Sequence, residues 1–222
     1  MSARGASYAL PNYTRGEELF NMVSHIVGGG MGVVVLVICS VVAAWNHNTL
    51  GIAASIVYGL TMILLYTMSS IYHGLTRESV KRVFRVLDHC TIYFLIAGTY
   101  TPLVLCALRL VHGPLAWTIF GIEWGLAVLA VTLTAIDLRK YQAFSMICYI
   151  VMGWCIVIAY EYVVPAFTAT GFALLLTGGI LYTMGAILYG IGKKHKYFHG
   201  IFHLFVLLGS FFQFLCIVLY AF

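Results

Sequence analysis

Histidine is the residue type in this chain that points most clearly to chemistry. Two of the eight histidines, His199 and His203, lie four residues apart in an apolar run near the C-terminus. Side chains at that spacing share one face of a helix, so both imidazoles can reach one metal ion. Three protein ligands with water in the fourth position are typical of a catalytic zinc site, whereas a structural site is usually closed by a fourth protein ligand.

A second polar pair has the same spacing. Ser69 and His73 are four residues apart in an earlier apolar run. We predict that His73 joins His199 and His203 as the third metal ligand. Imidazole ligands suit zinc, although copper, iron and nickel also accept them. The competing interpretation is a hydrogen-bonded core of histidines that holds no metal.

Other polar residues accompany these histidines. Asp88 and His89 come at the beginning of another apolar run, and Glu17, Asn21 and His25 recur every four residues at the beginning of the first. The four-residue spacing places the last three on one stripe of a helix. We therefore predict a supporting shell of hydrogen bonds around the ligands, made by Glu17, Asn21, His25 and His89.

Asp88 and Ser69 each have an ordinary structural explanation as well as a chemical one. A carboxylate in the first turn of a helix is favoured by the helix dipole, and a serine can bond back to the carbonyl four residues earlier. The chemical hypothesis makes Asp88 a general base or the group that holds the water. Ser69 would then help to bind the water or the oxyanion.

The elements that must position these residues are membrane helices. The chain of 222 residues is 62% hydrophobic and 9% charged, whereas a soluble domain is about half apolar and about a quarter charged. A soluble protein of this size could not bury so much apolar surface, and a disordered chain is excluded too. Seven runs are long enough to span a bilayer and lack the alternation of barrel strands. They cover residues 20–44, 50–75, 86–108, 114–136, 142–162, 167–191 and 198–221.

The basic residues predict the orientation of these spans. All 12 Lys and Arg residues except Arg109 lie in the N-terminal tail or in the second, fourth and sixth connectors. Because Lys and Arg mark the cytoplasmic side, the N-terminus is expected in the cytoplasm and the C-terminus outside. We predict an all-α integral membrane protein, a seven-helix bundle of residues 17–222 behind a cytoplasmic tail of residues 1–16. The membrane is the plasma or inner membrane, and no cleavable signal peptide is visible.

This topology places the polar residues of several helices at one level. Five histidines, Asp88 and Ser69 fall near the cytoplasmic face, which favours the metal hypothesis. The scattering of the basic residues among the connectors argues against a nucleic-acid partner. Six cysteines without a C-x-x-C pair are expected to be buried apolar side chains, and Gly28 and Gly32 to permit close helix packing. Glu123 lies within the fourth run without a role, and a buried pairing is expected for it.

Four motifs occur in order along nearly the whole chain. They are E-x-x-x-N-x-x-x-H at residues 17–25, S-x-x-x-H at 69–73, LDHCTIYFLIAGTYTP at 87–102 and F-H-x-x-F-H-L-F-V-L-L-G-S at 198–210. Together they resemble the haemolysin III family, the bacterial branch of the progestin and adiponectin receptor family. The resemblance implies seven helices, a cytoplasmic N-terminus, and zinc held by His73, His199 and His203. It also implies that Asp88 contacts the metal through water. The family has been linked to ceramide hydrolysis, haemolysis and membrane-lipid homeostasis.

One residue departs from the family pattern. After the Gly-Ser pair of the last motif, bacterial members often carry a histidine before a phenylalanine, and Gln213 stands there in this chain. Gln213 is about two and a half helical turns beyond His203, so we do not expect it to touch the metal.

Two functions remain open at this point. One is a zinc-dependent, ceramidase-like hydrolase of a lipid amide or ester, with the lipid entering from the bilayer. The other is a non-catalytic sensor of membrane state that zinc only stabilises. A pore-forming cytolysin is disfavoured because no run is an amphipathic pore-lining helix, and a transporter because polar residues are sparse towards the outer face. A membrane lipid is the expected substrate or ligand, and a homo-oligomer is left open.

Overall fold

In the described part of the chain, every long element is a helix. The computed structural model describes residues 10–192 and 195–222, so Arg4, Lys193 and Lys194, which contributed to the orientation argument, lie outside it. The helices are α1 (Arg15–Trp45), α2 (Thr49–Gly74), α3 (Glu78–Pro102), α4 (Gly113–Ile136), α5 (Gln142–Ile158), α6 (Tyr160–Ile191) and α7 (Phe198–Tyr220). Beyond Pro102, α3 continues through a π-helical segment, Leu103–Leu108, and a last turn, Arg109–Val111.

Side-chain caps define the beginnings of several helices. Thr14 caps α1, and Glu17 bonds back to the Thr14 backbone N–H, which is a capping box. The Asn48 side chain accepts from the Gly51 N–H at the start of α2. The His112 ring accepts from the Leu115 N–H at the start of α4. These residues satisfy N–H groups that have no partner within their own helix.

Six helical segments of the described chain are long and apolar enough to cross a membrane, when residues 142–191 are counted as one. That segment is not straight, because Thr168 has φ 62° and ψ 169°. The Trp154 indole N–H donates to the Thr183 hydroxyl over 3.0 Å, although a straight helix would separate these residues by about 43 Å. The chain therefore reverses direction between them. Seven crossings, and the sides on which the termini lie, stay predictions.

Glycines allow α1 and α2 to pack closely, as their spacing indicates. A Cβ atom on Gly28 would lie 2.5 Å from the Tyr66 ring, and one on Gly32 would lie 2.9 Å from Ile63. On the other helix, a Cβ atom on Gly59 would lie 2.7 Å from the Leu36 Cα. The packing interpretation of Gly28 and Gly32 is confirmed, since any side chain there would push the helices apart.

The outer faces of the helices are apolar, and the interior holds the cysteines. Exposed side chains include Val27, Val128 and Ile158, which is expected where helices face lipid rather than water. All six cysteines are free and most of them are buried, as predicted for small apolar side chains.

The buried pairing expected for Glu123 is limited to the Cys155 thiol, which faces its carboxyl group. Glu123 is fully buried, and neither carboxylate oxygen lies within hydrogen-bond distance of a nitrogen or oxygen donor among the described residues. It lies beside Cys155 and Tyr100. The Tyr100 hydroxyl is already engaged by the Gly153 carbonyl and the Ile156 N–H, so it does not bond to the carboxyl group.

Candidate metal centre

Three imidazoles from two helices converge at one end of the bundle. The Nε2 atom of His199 lies 3.2 Å from Nε2 of His73 and 3.1 Å from Nε2 of His203. One nitrogen of each ring lies within 4.8 Å of the others. His73 comes from α2 and the other two from successive turns of α7. These three histidines are therefore close enough to hold one metal ion.

The nitrogen separations match those around a tetrahedral metal ion. With bonds of 2.0–2.1 Å, neighbouring nitrogens of a tetrahedral zinc site are about 3.3 Å apart. The observed nitrogen–nitrogen separations of 3.1 and 3.2 Å are close to that distance. A histidine core without metal would instead need a proton between each pair of nitrogens in contact.

The partners of His73 show which of its nitrogens faces the cluster. Its Nδ1 atom lies 2.7 Å from Oε2 of Glu18, and an ionised carboxylate can only accept a hydrogen bond. Nδ1 must therefore carry a proton, and in the neutral imidazole that binds a metal the lone pair is on Nε2. The other oxygen of Glu18 accepts from Lys81 over 2.6 Å, so the carboxylate is held between a lysine and the imidazole.

His203 has the same arrangement with a backbone partner. Its Nδ1 atom lies 3.3 Å from the Asn21 carbonyl oxygen, and the Ser24 hydroxyl is 3.2 Å from the same nitrogen. Because the Ser24 hydroxyl already donates to the Asn21 carbonyl, it can accept from the ring. Nδ1 therefore carries the proton, and Nε2 presents a lone pair.

The two lone pairs decide how well the cluster fits a metal. Both point at Nε2 of His199, which carries at most one proton and cannot donate it fully to His73 and His203 together. At least one close nitrogen contact then lacks a proton and needs a cation instead. The residues present thus fit a bound metal better than a hydrogen-bonded histidine core.

Asp88 and Ser69 lie beside the imidazoles, buried on α3 and α2. The Asp88 carboxylate interacts electrostatically with His73 and His89 and faces Ser69. The Ser69 hydroxyl has no short hydrogen bond among the described residues. His89 itself donates from Nδ1 to the Arg85 carbonyl over 2.9 Å, and its ring is 3.5 Å from the carboxylate.

The other residues expected around the ligands have different positions. His25 stacks on His203 with ring centroids 3.6 Å apart, and the Asn21 side-chain nitrogen is 3.5 Å from Nδ1 of His73. Glu17 instead accepts from Thr14 and from the Tyr197 N–H, so it joins the start of α1 to the segment before α7.

Glu18, which the motif spacing did not single out, is the carboxylate that contacts His73. Glu18, Asn21 and His25 are spaced i, i+3, i+7, which follows the 3.6-residue period more closely than a repeat of four. That periodicity is the signal that could have identified Glu18. Tyr13, in the segment before α1, also lay outside the motifs. Its ring stacks on His199 with centroids 5.1 Å apart, and burial raises the pKa of its hydroxyl, which keeps it protonated.

Two cavities border the imidazoles. An apolar cavity of about 160 Å³ begins at His203 and Asp88 and passes between α3, α5, α6 and α7 to Leu103. The distance from Asp88 to Leu103 along α3 is about 22 Å. A polar cavity of about 610 Å³ lies on the other side of the cluster. Gln213 borders the apolar cavity and donates to the Leu175 carbonyl, away from the imidazoles.

We expect Glu18→Gln to weaken metal binding by about 10- to 100-fold, because a carboxylate on the far nitrogen of a ligand orients the ring and raises its basicity. Competition of the purified protein with a chelator of known affinity measures the change. Glu78→Gln is the matched control, since Glu78 is exposed and pairs with Arg82 on the surface. Equal affinity in wild type and Glu18→Gln would contradict a supporting role for Glu18.

Comparison with known proteins gives a consistent result over nearly the whole chain. The haemolysin-III-related family matches residues 13–214. Hemolysin-3 of Bacillus cereus is 40% identical over 205 residues, which are 92% of this chain and 92% of that protein. The Hemolysin-3 homolog of Bacillus subtilis (strain 168) is 36% identical over 209 residues, covering 94% of this chain and 96% of the relative.

Proposed function

Since the chain belongs to the haemolysin-III-related family and is a multi-pass cell-membrane protein, we propose that it is a zinc-dependent hydrolase. The bond that it cleaves would be an amide or ester of a membrane lipid. The observation that carries this proposal is the position of the three imidazoles, where a polar cavity meets an apolar one beside a buried carboxylate. The amide or ester bond of a lipid lies between its polar headgroup and its acyl chain, so it would lie at the same boundary between polar and apolar surroundings.

Zinc is the metal that this ligand set favours. His73, His199 and His203 supply three neutral nitrogens, and no cysteine belongs to the cluster found among the described residues. Three nitrogens without a fourth protein ligand are typical of a catalytic rather than a structural site. Zinc bound there would lower the pKa of water and polarise the scissile carbonyl.

The chain's own residues supply the remaining chemistry. Asp88 would accept the proton of the attacking water, because its carboxylate is buried beside the cluster. The Ser69 hydroxyl, which faces Asp88, would orient that water or donate to the developing oxyanion. The apolar cavity would hold an acyl chain, since its lining residues extend from Asp88 to Leu103, which is about 22 Å along α3 and more than half of the ~30 Å hydrocarbon core of a bilayer.

The proposal includes a topology. We place the N-terminus in the cytoplasm, the C-terminus outside and seven crossings in residues 17–222, behind a tail of residues 1–16. The reversal between Trp154 and Thr183 supports two crossings within residues 142–191, and the distribution of Lys and Arg supports the orientation. The metal centre would then lie near the cytoplasmic face.

The name of the relatives refers to haemolysis, but a pore is not what we propose for this chain. Several buried polar side chains, such as Asn21, His25 and Asp88, lie around the imidazoles, whereas the far part of the apolar cavity is bordered mainly by apolar side chains such as Leu103, Ile156 and Leu175. A water-filled pore would need polar groups to continue through the bundle. No subunit arrangement is required for the proposed chemistry, and a homo-oligomer stays a prediction.

The test is release of fatty acid from defined lipids by the purified protein, followed by mass spectrometry. Lipids with an amide bond and lipids with ester bonds are offered separately. We expect hydrolysis of at least one class, loss of activity after chelation, and recovery when zinc is added. A metal-loaded protein that releases nothing from any class would favour the non-catalytic sensor. Release that continues after chelation would contradict a metal-dependent reaction.

A further inference from the structure

One carbonyl oxygen beside the apolar cavity has no hydrogen-bond donor. Gln213 borders that cavity, is 5% exposed, and donates from Nε2 to the Leu175 carbonyl oxygen over 3.1 Å. Because the Leu175 carbonyl can only accept, the amide nitrogen of Gln213 must face it and the amide oxygen must face elsewhere. Among the described residues, no group donates to this Oε1 atom. An unpaired buried acceptor is unfavourable, so a donor from outside the chain gains a hydrogen bond there.

Three hydroxyl groups near Gln213 have one proton more than they can share. The Ser210 Oγ atom lies 2.7 Å from the hydroxyl oxygens of both Tyr66 and Tyr182. Three hydroxyl groups carry three protons, and two oxygen contacts use only two of them. One proton is therefore left without an acceptor among the described residues. If Ser210 donates to Tyr182, the free proton is that of Tyr182, and Tyr182 borders the apolar cavity.

The packing of α6 against α7 places the spare acceptor and the spare donor close together. A Cβ atom on Gly178 would lie 2.6 Å from the Gln213 amide nitrogen, and one on Gly209 would lie 2.8 Å from the Tyr182 ring. The two helices are therefore in contact at both levels. Ser210, which holds the Tyr182 hydroxyl, precedes Gln213 by three residues, so the two share a helix face about 4.5 Å apart along the axis.

A hydroxyl group on a ligand would satisfy both groups. It has one proton and two lone pairs, so it can donate to Gln213 and accept from Tyr182. An ionised carboxylate cannot donate to Gln213, and an ammonium group cannot accept from Tyr182. Most other side chains around this part of the cavity are apolar, such as Leu103, Ile156 and Val206. The hydroxyl group must therefore be carried by a molecule that is otherwise apolar.

The position of Gln213 along the cavity indicates where the hydroxyl group lies on an acyl chain. Gln213 is ten residues beyond His203 in the same helix, α7, which is about 15 Å along the helix axis. An extended chain advances about 1.2 Å per single bond, as the polypeptide backbone does over its three bonds per residue. An acyl chain with its carbonyl carbon at the imidazoles would thus bring about its twelfth carbon to Gln213.

We propose that Tyr182 and Gln213 form a subsite for a hydroxyl group near the twelfth carbon of an acyl chain in the apolar cavity. This inference deepens the proposed function, because it names the class of lipid chain. It rests on that function for the position of the carbonyl carbon. Binding of the chain needs no turnover, so the subsite can be tested separately from hydrolysis.

The test compares 12-hydroxystearic acid with stearic acid, each binding to metal-loaded protein in detergent, by native mass spectrometry. We expect wild type to bind the hydroxylated acid about 10-fold more tightly, because its hydroxyl group pairs with groups that otherwise lack partners. The positional control is 7-hydroxystearic acid, whose hydroxyl group would fall about 6 Å short of Gln213. It should bind no more tightly than stearic acid.

Two variants and a matched control test the residues of the subsite. Gln213→Met keeps the length of the side chain without the amide, and it should bring the two affinities to about the same value. Tyr182→Phe should remove part of the preference. Tyr100→Phe is the control, because Tyr100 borders the same cavity but its hydroxyl is already engaged by the Gly153 carbonyl and the Ile156 N–H. Its preference should match that of wild type.

Several outcomes would overturn the proposal. Equal binding of 12-hydroxystearic and stearic acid by wild type would leave water as the partner of Gln213, and equal binding of the two hydroxylated acids would remove the position. An unchanged preference in folded Gln213→Met would exclude Gln213. If Gln213→Met does not fold, equal preferences in Tyr182→Phe and Tyr100→Phe would have the same meaning. A preference without hydrolysis would contradict the hydrolase proposal alone, and hydrolysis without a preference would contradict this one alone.

Discussion

Replacing His203 with alanine should reduce the bound metal from about one ion per chain to a small fraction of that, since a zinc site with only three protein ligands loses much of its affinity when one of them is removed. His203 is almost fully buried, and its Nε2 atom is 3.1 Å from that of His199. Alanine would remove one ligand and leave a polar gap inside the cluster. Elemental mass spectrometry of the detergent-purified protein measures the metal content. His73→Ala and His199→Ala should lose the metal to a similar extent.

His195→Ala is the matched control for this experiment. His195 is exposed four residues before His199 and does not belong to the imidazole cluster, so its variant should keep the metal. Size-exclusion profiles must show that the variants are folded, and the wild type should be more stable with zinc than after chelation, because an ion bound only to the native state stabilises it. A wild-type protein that takes up no metal when zinc is supplied would mean that the histidines form a hydrogen-bonded core.

Asp88→Asn should lower kcat for lipid hydrolysis by about 100- to 10,000-fold while the metal content stays near that of wild type. Asparagine has nearly the same shape as aspartate but is a much weaker base, so it cannot take the proton of the attacking water. Asp88 faces Ser69 and lies near His73, and it is not one of the three residues that converge on a common point. Steady-state rates and metal content, measured on the same preparation, separate catalysis from metal binding.

Asp137→Asn is a suitable control for that substitution. Asp137 follows α4, and its side chain accepts from the Arg139 and Lys140 N–H groups in a loop, away from the imidazoles. We expect its activity to match wild type. If Asp88→Asn keeps the wild-type kcat, Asp88 is not the general base. If it loses metal and activity together, Asp88 supports the site rather than the reaction.

The sequence was most informative about features that depend on residues close together in the chain. Apolar runs, the spacing of His199 and His203 and the pairing of Ser69 with His73 all depend on residues within one helix. The capping role of Glu17 was also local, because Thr14 stands three residues before it, but the motif led us to expect it near the ligands. For Glu123 the sequence suggested a buried pairing but could not name its partner, Cys155, since nothing local shows which side chains of α3 and α5 will face it.

Hydropathy and helical periodicity alone thus determined that this protein is a bundle of membrane helices and which imidazoles can share a face. The tertiary structure decided the rest, because contacts between helices depend on their rotation and crossing, which residues far apart in the chain control. Only there does Glu18 meet His73 and the Asn21 carbonyl meet His203. These two contacts orient the nitrogen lone pairs towards His199, which lines both the polar and the apolar cavity.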